Sequence, residues 1–244
     1  MTQRRGFTRK QRLVIVVFVG LLLIAAAFGF VSYQVKQVPE FYERAIAAPV
    51  VEQKQAAEQF EHQAIELQNQ IRREEDWQVE ITADEVNGWL ATVLPEKFPG
   101  LLPPEVTDPR VAIEQDRLLI AARYQMNGIS TIVSIELSAF LTDEPNTAAI
   151  RIHKVAAGNI PLPLAKYLEQ ITAAASKRNV LVRWQEVEGD PLAIVALPIA
   201  EPGDKRAIVV RSLQLLPGKV AAAGTADEVK PEPVPSEPHS RDEP

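Results

Sequence analysis

Three histidines and no cysteine define most of the chemistry open to this chain. His62 stands between Glu61 and Gln63, His153 between Ile152 and Lys154, and His239 in a proline-rich stretch. No two share the i, i+4 spacing that sets a pair of imidazoles on one helix face, and no H-E-x-x-H run occurs. Without cysteine there is no thiolate zinc site, disulfide framework, thiol nucleophile or acylated lipobox residue. No serine sits in a G-x-S-x-G elbow, and the 11 glycines form no phosphate-cradling G-x-G-x-x-G loop. Asp84-Glu85 invites an acid–base reading. Thr82 precedes Glu85 at the spacing of a capping box, however, so both carboxylates belong at a helix start, where the dipole favours them. A triad assembled from distant residues leaves no trace in a sequence. The residues therefore predict a non-catalytic protein with no cofactor and no metal.

Charge is unevenly distributed. The net of -6 combines 26 Lys+Arg with 32 Asp+Glu. Arg4, Arg5, Arg9, Lys10 and Arg12 place +5 on residues 1–12, which leaves -11 on everything after. A pI near 5.3 excludes a general nucleic-acid binder, which needs clustered Lys and Arg to release counterions. The basic segment is followed by LVIVVFVGLLLIAAAFGFV from Leu13 to Val31, uninterrupted by charge. At 1.5 Å per residue it reaches roughly 28 Å, close to the hydrocarbon thickness of a bilayer. A transmembrane helix is expected over 13–32. The positive-inside rule puts residues 1–12 in the cytoplasm and the main domain outside a cell inner membrane. Tyr33 falls where an interfacial aromatic is expected. Two other readings are a cleaved secretory signal, with Ala25-Ala26-Ala27 offering small residues, and a twin-arginine address at Arg4-Arg5-Gly6-Phe7.

Residues 33–50 form a membrane-proximal linker, in which FYERAIAA between Pro39 and Pro49 could hold two helical turns. From Val51 to about Glu75, Ala57, Phe60, Ala64, Leu67 and Ile71 fall on one helical stripe. Trp77, Val79 and Ile81 alternate as a strand. The capped helix follows, with Val86, Trp89, Leu90, Val93 and Leu94 on its apolar face and Pro95 and Phe98-Pro99-Gly100 ending it. The period then becomes two. Val111 and Ile113 are followed by a Gln115-Asp116 turn, and Leu118, Ile120, Ala122 and Tyr124 by an Asn127-Gly128 hairpin signal. Alternation over 129–141 extends well beyond an ordinary strand of about five or six residues. A second helix runs from Leu164 through Tyr167 and Leu168 to Lys177 and Arg178, and strands near 180–184, 192–196 and 208–216 complete the domain. The expected class is α+β: an N-terminal transmembrane helix, then an elongated, curved, mostly antiparallel sheet packed with a long helix and shorter helices. Its folded part covers 51–224, and 225–244 forms an acidic, Pro-rich disordered tail.

The strongest positive feature is the aliphatic face of 129–141. Either that face packs on the helices as core, or it outruns them and leaves apolar surface for an acyl chain. The groove residues on the second reading are Leu118, Ile120, Thr131, Val133, Ile135 and Leu137, with Trp89 and Leu90 closing one side. The anchor, the helix, the stretch Ile81-Thr82-Ala83-Asp84-Glu85-Val86-Asn87-Gly88-Trp89-Leu90, the long strands and Gly158-Asn159-Ile160-Pro161-Leu162-Pro163 together resemble single-pass bacterial envelope proteins of uncharacterised function. More loosely, the chain is similar to tubular lipid-binding (BPI-like) domains, whose resemblance implies a curved sheet wrapped on a long helix with lipid tails inside. The expected partners are membrane lipid and an envelope protein, with no nucleic acid. The alternative function is an envelope scaffold that binds a partner through the 51–75 helix.

Overall fold

A computed structural model of the protein describes residues 34–73, 75–126, 128–164, 168–176, 180–197 and 206–228. The expected basic segment, the span at 13–32 and the tail beyond 228 lie outside these residues. Among the described residues no helix is long and apolar enough to cross a membrane.

The helix α1, Glu40–Ala47, is entered through Pro39, whose fixed φ of -60° suits the residue before a first turn. The long helix α2 covers Val50–Arg73. Strand β1, Asp76–Thr82, leads directly into α3, Ala83–Lys97, through the capping box. The Thr82 N–H donates to Glu85 Oε2 at 2.7 Å, and the Glu85 N–H donates to Thr82 Oγ1 at 3.2 Å. α3 runs through Pro95 rather than stopping there. Proline costs the helix only the bond to the carbonyl four residues back, and near a C-terminus the remaining ladder closes without it. Here the Phe98 N–H donates to Leu94 O at 3.0 Å. The helices α2 and α3 cross at Gly88, where a Cβ would collide with the Gln53 carbonyl and meet Ala56 Cβ at 2.8 Å. No other residue type permits that approach. Beside the crossing, Trp89 lies between Phe60 and Phe98, with ring centroids 5.8 and 5.7 Å away.

The strands form two sheets, not one. Strands β2 (Val106–Glu114), β3 (Arg117–Met126), β4 (Ile129–Leu141), β5 (Thr147–Ala157), β7 (Val182–Val187) and β8 (Asp190–Ala196) form the larger sheet in the order β2-β3-β4-β5-β8-β7, and short β6 (Ile160–Pro161) pairs with β5. All these pairings are antiparallel. The second sheet has the order β1-β10-β9, with β9 at Arg206–Leu216 and β10 at Lys219–Glu228. Trp77, Val79 and Ile81 of β1 stand opposite Gly224, Ala222 and Val220 of β10, which gives this sheet one apolar face. Because Asp76 pairs with Thr225 and β10 continues to Glu228, residues 225–228 are strand, where the composition had suggested tail. The helix α4, Leu168–Ser176, packs against β7, where Trp184 Nε1 donates to Thr172 Oγ1 at 2.8 Å, and Tyr167, Lys177 and Arg178 of the expected helix lie outside the described residues.

Two buried asparagines hold the layers together by imitating a strand. Asn87 Nδ2 donates to Val111 O at 2.9 Å while its Oδ1 accepts from the Val111 N–H at 2.8 Å, so α3 satisfies the outer edge of β2. Asn146, in the turn between β4 and β5, binds the edge of β9 in the same way through Ile208 O and the Val210 N–H at 2.7 and 2.8 Å. Edge groups left unpaired in a buried setting would cost about 1–3 kcal/mol each. At the same end of the molecule, the Asp116 N–H donates to Leu215 O and the Gly218 N–H to Ile113 O, tying the β2–β3 turn to the β9–β10 hairpin.

Candidate functional site

Period-two geometry sends alternate side chains of β4 to opposite faces. On the odd face, Leu118 stands opposite Leu137, Ile120 opposite Ile135, Ala122 opposite Val133 and Tyr124 opposite Thr131. The row continues into β5 through Ala157, Val155 and Ile152, which face Val133, Ile135 and Leu137. The structure therefore brings six of the sequence-derived groove residues into one cross-strand patch. Leu118, Ile120, Thr131, Val133, Ile135 and Leu137 are all half-buried, while Val155 and Ile152 behind them are buried. Among the described residues the main helix packing lies away from this patch. α1 packs on the opposite face, α3 lies against α2 and β2, and the main packing on β4 from outside its own sheet comes from β9. Trp89 and Leu90 are placed elsewhere: Trp89 uses its ring on Phe60 and Phe98, and Leu90 belongs to the same helix beside β2.

The even face of β4 has two parts. Near the hairpin Tyr42 of α1, 1% exposed, packs on Ala121 and Ile132 with Phe41 and Ile46 around it. Further along it becomes a charged array. Arg117 pairs with Glu136. Arg151 on β5 donates from Nε to Asp190 Oδ2 at 2.8 Å and from Nη2 to Glu188 Oε2 at 2.9 Å. His153 Nδ1 lies 3.2 Å from the same Asp190 oxygen, and Ser138 Oγ lies 3.0 Å from His153 Nε2. A register shift in the β4–β5 ladder between Glu136 and Leu137 places His153 in a bulge, which re-aims its ring toward Ser138. The hydrogen bond from Arg151, and secondarily that from His153, holds the Asp190 carboxyl below the usual carboxylate range.

Ser138, His153 and Asp190 thus stand in the order of a hydrolytic relay. Acyl transfer also needs N–H donors aimed at the developing oxyanion. Ser138 lies within a paired strand opposite Arg151, and strand N–H groups lie in the sheet plane, perpendicular to the side chains. The β4 backbone does not aim its N–H groups that way, and the array joins β4, β5 and β8 through its hydrogen bonds. Sequence reading missed it because Asp190 is remote and the bulge is unreadable. Its one signal was a histidine amid an alternating strand. Among the described residues no group of three His, Asp or Glu could hold a metal ion.

Comparison with known proteins finds no matching family model, no matching curated protein and no matching solved structure.

Proposed function

We propose that this chain is a membrane-anchored, extracytoplasmic, non-catalytic lipid-handling module, with the 13–32 segment as its anchor. One observation supports the reading above others: the aliphatic pairs Leu118–Leu137 and Ile120–Ile135, in the middle of a large sheet, stay half-buried where a core would close over them. An acyl chain laid along β4 would complete that burial, at about 25 cal/mol per Å² of apolar surface removed from water. Photoactivatable fatty acid fed to cells expressing the full chain tests it. Cross-links should map to the peptide carrying Ile135 and Leu137 and disappear in Val133→Asp. Absence of label from β4 in the wild type, or equal labelling of the variant, removes the groove.

A second reading is an envelope scaffold that engages a protein partner through α2. It is supported by Val51 and Ile65 on that helix, 67% and 60% exposed despite their size. A single stoichiometric partner cross-linked at Ile65 and lost on Ile65→Glu would favour it.

A further inference from the structure

The cleft between α1 and the hairpin end of β3 and β4 adjoins the odd-face patch at Thr131 but has a different chemistry. It is an open cleft of about 360 Å³, with Val38, Tyr42, Ile46 and Ile132 as apolar wall and Lys36 and Arg123 in its lining. Glu43 is the one acid of that lining. Arg123 meets Asp108 through Nε at 3.4 Å, which engages one of the five donors of a guanidinium. Behind Tyr42 a third cation is deeply placed. Arg110 is 6% exposed, donates from Nη1 to Pro109 O, and leaves its Nε buried with no partner. Burial disfavours its charge, and Asp108 and Tyr42 are the groups that offset this. The neighbourhood therefore holds Lys36, Arg110 and Arg123 against Glu43 and Asp108, an excess of one positive charge over an apolar floor.

Its position narrows the ligand. Lys36 lies five residues after Val31, the last residue of the apolar run. Five extended residues reach at most roughly 18 Å. The intervening chain is docked rather than loose at its described end. The Asn159 N–H donates to Gln34 O at 3.0 Å, and Thr131 Oγ1 donates to Val35 O at 2.7 Å. Gly158, at φ +57°, allows that approach, since a Cβ there would meet Val35 O at 2.6 Å. Whatever binds in the cleft is thus held within headgroup reach of a bilayer if 13–31 spans one.

We propose that this cleft seats an anionic phospholipid drawn from the adjoining bilayer, its phosphate between Lys36 and Arg123 and its first methylenes on Tyr42, Ile46 and Ile132. The proposal rests on the membrane-anchored reading but not on the β4 groove. It is tested with the full chain in nanodiscs of mixed phosphatidylglycerol and phosphatidylcholine, released for native mass spectrometry. The expected result is a phosphatidylglycerol adduct enriched over the bulk lipid ratio. Lys36→Ala and Arg123→Ala should each reduce the enrichment by about fivefold. Lys36 is exposed and Arg123 half-buried, and circular dichroism of each variant checks that it folds. Enrichment unchanged in the double variant overturns the site, as does displacement of the adduct by inorganic phosphate alone. A chain that fails to enter nanodiscs overturns the anchor reading and this site with it. β4 photolabel with an adduct indifferent to both cations overturns this site and leaves the groove standing. An adduct that depends on both cations without β4 label does the reverse.

Discussion

Two isoleucines on opposite faces of β4 differ in what covers them. Ile132 on the even face and Ile135 on the odd face are three residues apart and chemically identical. Ile132 is 4% exposed beneath Tyr42, whereas Ile135 stays half-buried. The even face meets a helix whose aromatic ring packs on it, whereas among the described residues the main packing on β4 from outside its own sheet comes from β9. Strand alternation therefore decides which side chains share a face, but the elements arriving from elsewhere in the chain decide which face becomes core.

The largest test of this difference removes the cover. Tyr42→Ala should destabilise the protein by about 3–5 kcal/mol, the range for truncating a buried aromatic, and should also lose the bond from Tyr42 Oη to Asp108 O at 3.0 Å. Chemical denaturation of the full chain in detergent measures it. A loss below about 1 kcal/mol would mean that α1 does not seal the even face.

Next in size is the direct pair. Ile132→Ala should cost about 2–5 kcal/mol and Ile135→Ala less than half as much, because a half-buried side chain has less area to return to water and leaves a smaller cavity. Equal losses would show that the odd face is ordinary core and would end the groove reading.

How far the sequence could anticipate this is visible in the same residues. Period-two alternation placed Leu118, Ile120, Val133, Ile135 and Leu137 on one face, and the register confirms that grouping because alternation is local. The capping box at Thr82 and Glu85 was equally local and equally readable. Trp89 was assigned to the groove from its helical stripe. A stripe gives a direction but no partner, and Phe60 and Phe98 turned out to be the partners. The division into two sheets was hidden because β1 pairs with β10, which lies more than a hundred residues later. Asn87 and Asn146 were hidden for a similar reason. An asparagine in a helix and one in a turn give no sign that each will complete the edge of a distant strand.

A smaller effect belongs to the polar part of the even face. The Asp190 carboxyl is held below its ordinary range by Arg151 and, less strongly, by His153, so its folded pKa lies under the unfolded value of about 3.9. The folded state then binds fewer protons than the unfolded state across that window. The resulting stability is fully present above the unfolded pKa and is lost as pH falls through the folded one. Melting temperatures of the wild type and Asp190→Asn should differ at neutral pH and begin to converge only as pH falls below about 4, meeting once it has passed the lowered folded pKa. A gap that persists into acid would mean that packing around the side chain, rather than its charge, makes the difference.

The smallest expected effect separates a polar clamp from a catalyst. Ser138, His153 and Asp190 have the distances of a relay, so geometry alone would favour activation of the hydroxyl. An oxyanion hole is usually the largest single contribution to acyl transfer. Replacing one hole donor in a working hydrolase already costs roughly a hundredfold or more in rate, and here the strand backbone offers none in the required direction. A fluorophosphonate probe, which reports nucleophilic serines, should therefore leave Ser138 unmodified at concentrations that saturate a serine hydrolase. Ser138→Ala should shift stability by no more than about 1 kcal/mol, the net worth of one partly exposed hydrogen bond. Stoichiometric labelling of Ser138 that disappears in His153→Ala would overturn the clamp. It would also show that some other segment supplies the missing donors and that the even face, not the aliphatic one, carries the function.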